Sequence, residues 1–284
     1  MKKVLVLGST GMLGHIVHQF LDSTKRYDLY NLSFRIKLNS KTIVLDVTNQ
    51  KKLLNKIQEI APDVIINCVG ILIKGSEESI KNAIYINAYF PHLLKEICKR
   101  TNSKLIHIST DCVFSGKSGN YSENSVKDAT DIYGKSKSLG EFDEKKHLCL
   151  RTSIIGPEIK KDGEGLFHWL LNQSGSVFGY KNVYWSGVTT LELSKIIYFA
   201  IEKNIVGLWN CTNQISISKY ELLKIIIGSY NLTHIDLKEN LEIKSDKSLI
   251  SIRNLPYKIP DYLKMIKELR FYMESNKTFY NYKF

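Results

Sequence analysis

A tyrosine and a lysine stand four residues apart in DIYGKSKSLGE, the stretch from Asp131 to Glu141. If the stretch is helical, Tyr133 and Lys137 lie one turn apart and their side chains share a face of the helix. A free phenol has a pKa of about 10, too high for ready proton exchange near neutral pH. A neighbouring ammonium favours the phenolate and lowers that pKa. The pair therefore indicates proton transfer to or from an alcohol or carbonyl oxygen, although the same spacing is common on solvent-exposed helices.

Hydroxyl and carboxyl side chains end a predicted strand in HISTDCVFSG. Ser109, Thr110 and Asp111 come where a parallel strand delivers side chains to a ligand cleft, beyond its carboxyl end. In this scheme Thr110 hydrogen-bonds a reacting oxygen and directs it towards Tyr133. Because hydroxyl residues at strand ends also form turns, this assignment depends on the other motifs.

Three glycines spaced three residues apart follow the first predicted strand and open the first predicted helix, in GSTGMLG. The first permits a tight turn, the second lets the backbone approach a pyrophosphate, and the third lets the helix pack against the strand. The helix N-terminus then presents free N–H groups and a positive dipole end to the phosphates. This context predicts a dinucleotide site. Its predicted residues are Gly8, Thr10, Gly11, Met12, Leu13 and Gly14.

The end of the second predicted strand, NLSFR, bears on the type of dinucleotide. An NAD site usually has an acidic residue about 20 residues beyond the glycines, where it binds the ribose 2′-hydroxyl. Ser33 and Arg35 occupy that region instead, and a hydroxyl and a guanidinium suit a 2′-phosphate. We therefore predict NADP(H), with NAD(H) as the alternative. Asp46, followed by Val47, is a candidate acceptor for the adenine amino group or else a turn residue.

Strand and helix patterns alternate through the first 155 residues. The predicted strands are KKVLVLG, YDLYNLSF, TIVLDV, PDVIINCVG, SKLIHIST and LCLRTSII, and the predicted helices lie near 12–21, 50–60, 83–100 and 136–144. This alternation predicts an α/β protein with a Rossmann-type doubly wound parallel sheet. PDVIINCVG lacks polar alternation, as expected for a strand with both sheet faces covered.

The alternation of strand and helix patterns ends in the second half of the chain. Helices are predicted near 166–173, 191–203 and 262–274, with a strand in GLWNCT. Because the sequence shows no repeat or flexible linker, we expect this half to pack onto the first. The predicted division is 1–155 with a return of 183–213 for a dinucleotide-binding domain, and 156–182 with 214–284 for a smaller C-terminal substrate-binding α/β subdomain.

The composition is that of an ordinary globular chain of 284 residues, 43% hydrophobic and 24% charged. No apolar run approaches the roughly 20 residues that cross a bilayer. The five scattered cysteines contain no C-x-x-C pair, which is typical of a reduced, cytoplasmic protein, and no metal-ligand spacing appears. The net charge of +12 is spread along the chain without a nucleic-acid motif. We expect no membrane insertion, no nucleic-acid partner and no metal, and leave a homodimer open.

The motifs together resemble the extended short-chain dehydrogenase/reductase superfamily and, within it, the dTDP-4-dehydrorhamnose reductase-like sugar-nucleotide reductases. They are GSTGMLG, INCVGI, YINAYFPHLL, STDCVFSG, YGKSKSLGE, LRTSIIG and GVTTLELSKII, and they cover about residues 1–205. The remainder of the chain resembles the family only loosely.

This resemblance implies roles for particular residues. Thr110, Tyr133 and Lys137 would carry catalysis, Lys137 would also hold the nicotinamide ribose, and Asn87 would support the lysine through a water or backbone network. The cofactor residues implied in the INCVGI segment are Cys68, Val69 and Gly70, and Asn87, Tyr133 and Lys137 are also implied to contact the cofactor. The implied activity is reduction of a nucleotide-linked keto-deoxysugar by NADPH, with Tyr133 as proton donor, in bacterial surface polysaccharide precursor synthesis.

Residues that contact the sugar nucleotide are predicted beyond the strand ends and in GYKNVYWSGVTT. They are Asp111, Phe114, Arg151, Tyr180, Lys181 and Trp185. Arg151 either steers a phosphate or pairs with an acid. Tyr180, Lys181 and Trp185 either contact a base and a diphosphate or pack between the two halves of the chain.

The sequence also departs from the family pattern. Ile154 stands where rhamnose reductases often carry a tryptophan, and residues 253–256 match their RP..S segment only in part. Asp111 is followed by Cys112, whereas the related dehydratases need an acidic pair there. Dehydration is therefore disfavoured. A sugar-nucleotide epimerase and a non-catalytic dinucleotide-binding regulatory subunit remain the alternatives.

Overall fold

The chain folds around one large parallel β-sheet, seen in a computed structural model that describes residues 1–253 and 256–282. The strands, in chain order, are β1 (Lys2–Leu7), β2 (Tyr27–Ser33), β3 (Thr42–Val44), β4 (Val64–Asn67), β5 (Lys104–Thr110), β6 (Leu148–Thr152), β7 (Ile154–Ile155), β8 (Gly175–Tyr180), β9 (Val183–Trp185), β10 (Val188–Thr189), β11 (Gly207–Asn210), β12 (Ile217–Ser218), β13 (Ile235–Asn240) and β14 (Ser245–Asp246). The helices are α1 (Gly14–Ser23), α2 (Gln50–Ile60), α3 (Ile73–Glu78), α4 (Ile80–Ala83), α5 (Phe90–Thr101), α6 (Ile132–Leu139), α7 (Leu166–Leu171), α8 (Thr190–Glu202), α9 (Lys219–Tyr230) and α10 (Tyr262–Ser275). A π-helical stretch (Ile84–Tyr89) joins α4 to α5, and 3-10 turns cover Asp111–Val113 and Lys277–Phe279. Within the described ranges, no helix is both long and apolar enough to span a membrane.

The large sheet has seven parallel strands in the order β11-β6-β5-β4-β1-β2-β3. This confirms the predicted α/β class with a Rossmann-type doubly wound sheet. β1 pairs with β2 on one side and with β4 on the other, so the strand order reverses at β1. Ligands of such sheets bind at this reversal, beyond the carboxyl ends of the strands. The topology therefore places a cleft at the ends of β1, β4 and β5.

Both faces of the large sheet are buried at its central strands β1 and β4, as the lack of polar alternation in PDVIINCVG predicts. Along β1, Val4 and Val6 belong to the hydrophobic cluster of one face, and Leu5 and Leu7 belong to that of the other. The first cluster includes side chains of α1 and α8, and the second includes side chains of α2 and α5. Burying each such side chain stabilises the fold by roughly 1.5–3 kcal/mol. The sheet is thus a rigid frame for the cleft.

The second half of the chain packs onto the first through a shared core. Leu222 of α9 and Met265 of α10 belong to the same cluster as Val4. β11 extends the large sheet beside β6, and α8 packs against α1. β9 instead pairs with β12 and β14, and β8 pairs with β13. The division into two domains stays a prediction, and within 183–213 it is α8 and β11 that return to the large sheet.

The helix that carries the tyrosine and the lysine differs from its predicted bounds. A helix was expected over 136–144, but α6 spans Ile132–Leu139. Asp131 accepts a hydrogen bond from the backbone N–H of Gly134 at 2.8 Å, and this N-cap starts the helix earlier. The earlier start places both Tyr133 and Lys137 inside the helix, as their spacing predicts.

Two other helical regions also differ from the predictions. The helix expected over 83–100 is interrupted by the π-helical stretch, which ends just before Pro91. Proline has no N–H and cannot bond the carbonyl four residues earlier, so the regular ladder breaks there. α9 is absent from the predictions, although Ser218 accepts from the N–H of Glu221 at 3.1 Å, in the pattern of a capping box.

Candidate active site

A cleft of about 960 Å³ opens at the carboxyl ends of β1, β4 and β5. Its walls come from the turn after β1, the segment after β4, the end of β5, α6 and the loop after β7. The predicted site residues that line it are Thr10, Gly11, Met12, Leu13, Arg35, Cys68, Val69, Gly70, Thr110, Asp111, Tyr133 and Lys137. The cleft therefore brings the glycine turn and the three predicted catalytic side chains together.

Gly8 and Gly14 allow the close backbone contacts behind the cleft wall. Gly8 has a φ of +77°, in the left-handed region, and a Cβ there would lie 3.0 Å from the carbonyl carbon of Cys68. A Cβ on Gly14 would lie 2.1 Å from the carbonyl oxygen of Gly8. These contacts hold the start of α1 against the end of β1. The N-terminus of α1 consequently opens into the cleft, in the arrangement that binds phosphates.

Lys137 is 5% exposed, and its Nζ donates to the carbonyl oxygen of Ile108 at 2.7 Å. Burial lowers the pKa of Lys137 from 10.5 to about 8, although Cys149, Glu141 and Cys68 oppose that shift. The lysine is therefore mostly charged at neutral pH. Its ammonium is fixed between α6 and β5.

Tyr133 lines the cleft on the same helix as Lys137. Burial raises the pKa of Tyr133, and the neighbouring Cys112 adds to the rise, while a hydrogen bond with Thr110 opposes it. The net shift is upward, because burial raises the pKa of Tyr133 more than the bond with Thr110 lowers it. The lowering predicted from the tyrosine–lysine pair is therefore wrong for the protein without cofactor. The phenol keeps its proton at neutral pH, which suits a proton donor.

The end of β5 presents Thr110 and Asp111 to the cleft. The Thr110 hydroxyl oxygen accepts from the backbone N–H of Cys112 at 3.1 Å, and its hydroxyl donates to Asp111 Oδ1 at 3.2 Å. Burial raises the pKa of Asp111, and the charge of Lys247 partly opposes this rise. These bonds fix the Thr110 hydroxyl at the cleft, within reach of Tyr133.

The residues predicted to select the dinucleotide occupy different environments. Arg35 lines the cleft, with its guanidinium carbon 4.7 Å from the centroid of the preceding aromatic ring. Ser33 is fully buried, and its hydroxyl donates to the carbonyl oxygen three residues later. Asp46 is exposed and accepts from a turn amide two residues later at 2.9 Å, and Val47 lies in the hydrophobic core. Of these four residues, Arg35 has its side chain at the cleft.

Asn87 is buried in the π-helical stretch. Its side chain forms hydrogen bonds with the segment after β4, which lines the cleft, and not with Lys137. It accepts from the N–H of Ile71 and donates to the carbonyl of Ile71, both at 2.9 Å, and it donates to Ser136 Oγ at 3.2 Å. A Cβ on Gly140 would lie 2.1 Å from the Asn87 carbonyl oxygen. Asn87 thus ties the segment after β4 to α6, one residue from the lysine.

Arg151 forms a buried ion pair with Glu141, so it adopts the second of its two predicted roles. Its Nε and Nη2 donate to the two carboxylate oxygens at 2.8 and 2.7 Å, and both side chains are 1% exposed. Ser109 Oγ donates to the same carboxylate at 2.6 Å. The pair joins β6 to the end of α6 and to the residue beside Thr110.

The other predicted substrate residues are packed elsewhere. Phe114 is fully buried and stacks on a neighbouring tyrosine, with ring centroids 4.2 Å apart. Trp185 is buried against a tyrosine of α10, and Lys181, beside Tyr180, pairs with a glutamate of β13. Their contact with substrate stays a prediction. The segment 253–256 includes residues 254 and 255, which lie outside the described residues.

Two walls of the cleft are missing from the predicted site. One follows β4 and contains Ile71, Leu72, Ile73, Lys74, Gly75, Glu77 and Glu78. The other runs from the end of β6 through β7 into the loop after it and contains Thr152, Ser153, Ile154, Glu158, Lys160, Asp162 and Glu164. Both come after the carboxyl ends of strands, so the rule that selects Thr110 would have found them.

The site and the sheet together define a class of protein. A dinucleotide turn, a strand-end threonine and a helix bearing tyrosine and lysine meet in one cleft of a doubly wound sheet, as in the extended short-chain dehydrogenase/reductases. Within that class, the chain belongs to the RmlD substrate binding domain family, whose model matches residues 1–249.

Individual relatives extend this comparison. The dTDP-4-dehydrorhamnose reductase of Aggregatibacter actinomycetemcomitans is 33% identical over 159 residues, which are 54% of this chain and 51% of that protein. This relative and two further curated ones are matched over about half of their length. The methionine adenosyltransferase 2 subunit beta of Xenopus tropicalis is 24% identical over 246 residues, 81% of this chain and 73% of that protein. The solved dTDP-4-dehydrorhamnose reductase of Bacillus anthracis str. Ames, in complex with NADP, shares the fold with a TM-score of 0.81 at 23% identity, covering 97% of this chain and all of that one.

Proposed function

We propose that this chain is an NADPH-dependent reductase of a keto group on a nucleotide-linked deoxysugar, with Tyr133 as the proton donor. The observation that carries the proposal is the convergence of Thr110, Tyr133 and Lys137 with the glycine turn in one cleft. Family membership and a relative named as a reductase support the same activity. By the same reasoning we propose bacterial surface polysaccharide precursor synthesis as the setting.

The residues of the cleft fit NADP(H). The glycine turn opens the N-terminus of α1 towards the phosphates, and Arg35 offers a guanidinium at the cleft for a 2′-phosphate. The bound cofactor supplies hydride to the carbonyl carbon of the sugar.

The side chains of the chain handle the oxygen of the reacting carbonyl. When substrate binds, the Thr110 hydroxyl turns its one proton from Asp111 to this oxygen and orients it, and Tyr133 gives the oxygen a proton as negative charge develops. The ammonium of Lys137, held by the Ile108 carbonyl, stabilises the phenolate that remains. Binding of the nucleotide and diphosphate supplies the energy that positions the sugar.

Arg35→Met is expected to raise the Kd for NADPH by roughly 10–100-fold and to change the Kd for NADH little, since a hydrogen bond to a charged group is worth about 1.5–3 kcal/mol. Titration of cofactor fluorescence with the purified protein measures both constants. Lys37→Met is the matched control, because Lys37 is an exposed cation of the same loop that does not line the cleft. An equal rise in the Kd for NADPH and for NADH, or an unchanged Kd for NADPH, would contradict the role given to Arg35.

Incubation with NADPH and a panel of nucleotide-linked 4-keto-6-deoxysugars tests the activity itself. We expect NADPH absorbance to fall with at least one member, and mass spectrometry to show a product heavier by two hydrogens. A sugar converted without net consumption of NADPH would indicate an epimerase instead.

A second candidate function is a non-catalytic dinucleotide-binding subunit. It is favoured by the similarity to the Xenopus tropicalis subunit over most of the chain. Such a protein would bind NADPH and reduce no member of the panel. Tyr133 and Lys137, both present in the cleft, favour the reductase.

A further inference from the structure

Two tyrosines that follow α10 contact two segments at the cleft, the start of α1 and the loop after β7. Tyr280 lies against α1 beside the glycine turn, and Tyr282 lies against the loop after β7. Their rings are stacked, with centroids 6.5 Å apart and an interplanar angle of 24°. Both tyrosines lie beyond residue 249, where the family match ends.

The first contact fixes the tautomer of a buried histidine. His15 is fully buried, with Nδ1 2.8 Å from the carbonyl oxygen of Gly11 and Nε2 3.2 Å from the hydroxyl of Tyr280. Because a carbonyl oxygen can only accept, Nδ1 carries the proton and Nε2 accepts from the tyrosine. Burial lowers the pKa of His15 to about 4, so the ring is neutral at physiological pH. A chain of hydrogen bonds thus runs from Tyr280 through His15 to the glycine turn.

The second contact holds the loop after β7. The Tyr282 hydroxyl accepts from the N–H of Glu158 at 2.9 Å and lies 2.8 Å from His168 Nδ1. Glu158 lines the cleft, and its carboxylate accepts from the N–H of Gly165 at 2.7 Å. A Cβ on Gly165 would lie 3.0 Å from Met12 Cε, so this loop touches the glycine turn.

We propose that residues 280–282 form a tyrosine strap, which holds the glycine turn and the loop after β7 at the spacing that dinucleotide binding needs. Tyr280 is a positioning residue in this strap, because it acts on the cofactor site through His15. This proposal rests on the proposed function for the identity of the cofactor. The hydrogen bonds of the strap themselves are present in the protein without cofactor.

Tyr280→Phe tests the strap because it keeps the buried ring and removes the hydroxyl that bonds His15. We expect NADPH to bind roughly five- to tenfold more weakly, the factor that one net hydrogen bond is worth. The Tm should fall by only a few degrees, the cost of leaving His15 Nε2 buried without its partner. Hydrogen–deuterium exchange, measured without cofactor, should become faster in residues 8–15. Tyr282→Phe should have the same effect on exchange in residues 158–168.

Tyr272→Phe is the matched control. Its hydroxyl donates to Gln19 Oε1 at 2.6 Å, so the substitution removes a hydrogen bond to the same helix, α1, one turn beyond His15. Because Gln19 does not contact the glycine turn, the NADPH affinity and the exchange of residues 8–15 should match those of the unsubstituted chain.

The outcomes separate the strap from the proposed function. Unchanged NADPH affinity and unchanged exchange in Tyr280→Phe would overturn the strap. Equal weakening by Tyr272→Phe would also overturn it, since any lost bond to α1 would then suffice. If the unsubstituted chain binds no NADPH, the proposed function fails. Exchange in residues 8–15 then decides the strap: faster exchange in Tyr280→Phe but not in Tyr272→Phe supports it, and equal exchange in both overturns it.

Discussion

Tyr133→Phe is expected to lower kcat/KM for the keto-sugar by about 10²–10⁴-fold, the contribution of a positioned proton donor. The substitution leaves a ring of nearly the same shape at the cleft and removes the hydroxyl proposed to protonate the developing alkoxide. The Kd for NADPH should therefore stay close to that of the unsubstituted chain. Initial rates of NADPH consumption and a fluorescence titration of the cofactor measure the two quantities separately.

Tyr89→Phe provides the control for Tyr133→Phe. Tyr89 is an exposed tyrosine of the π-helical stretch and does not line the cleft, so loss of its hydroxyl should leave both quantities unchanged. If Tyr133→Phe were as active as this control, the proton would have to come from another group, and the assignment of Tyr133 would be abandoned.

Arg151→Met is expected to lower the free energy of unfolding by about 3 kcal/mol, because the buried carboxylate of Glu141 then keeps only the Ser109 hydroxyl and the partly exposed Lys127, whose Nζ lies 3.3 Å away. Burial alone would raise the pKa of Glu141, but the hydrogen bonds and charge of Arg151, together with the Ser109 hydroxyl and the charge of Lys127, outweigh burial and the net pKa is lowered. The pair's stabilisation is thus present above the pKa of an unfolded glutamate, about 4.3, and is lost as the pH falls through the lower folded value. Urea unfolding at neutral and acidic pH measures the effect.

The double variant Arg151→Met with Glu141→Leu should recover much of this loss, since apolar replacement of both partners removes the stranded charge. Lys25→Met is the surface control: its pair with Asp22 is 3.0 Å long but largely exposed, and its loss should cost about 1 kcal/mol or less. If Arg151→Met lowered the free energy of unfolding no more than this control does, solvent would have to reach the carboxylate of Glu141.

The arrangement of the candidate catalytic residues is predictable because it depends on local patterns. The strand–turn–helix context fixes the glycine turn, and a spacing of four on a helix places Tyr133 and Lys137 on one face. The carboxyl end of β5 presents Thr110 for the same topological reason. Such features need no knowledge of which distant segment packs on which.

Other predictions from the sequence fail because the role of the side chain is decided by a partner distant in the chain. Arg151 is taken up by Glu141, which follows α6, and the sequence cannot rank that partner above a phosphate. Ser33 turns its hydroxyl to a carbonyl of its own loop. The direction of the Tyr133 pKa shift depends on burial, which only the packed fold sets. α9, by contrast, has a local capping signal at Ser218 and Glu221, which predicts the start of the helix.

The seventh strand of the large sheet has a consequence for how the protein is made. β11 lies beside β6 but is encoded about sixty residues later, after α7 and α8 have been synthesised. Until it leaves the ribosome, β6 presents an unpaired row of backbone N–H and C=O groups, the kind of edge that invites pairing with another chain. The large sheet is therefore completed late in translation, and a product terminated near residue 155 would keep an unpaired strand edge that can pair with another chain.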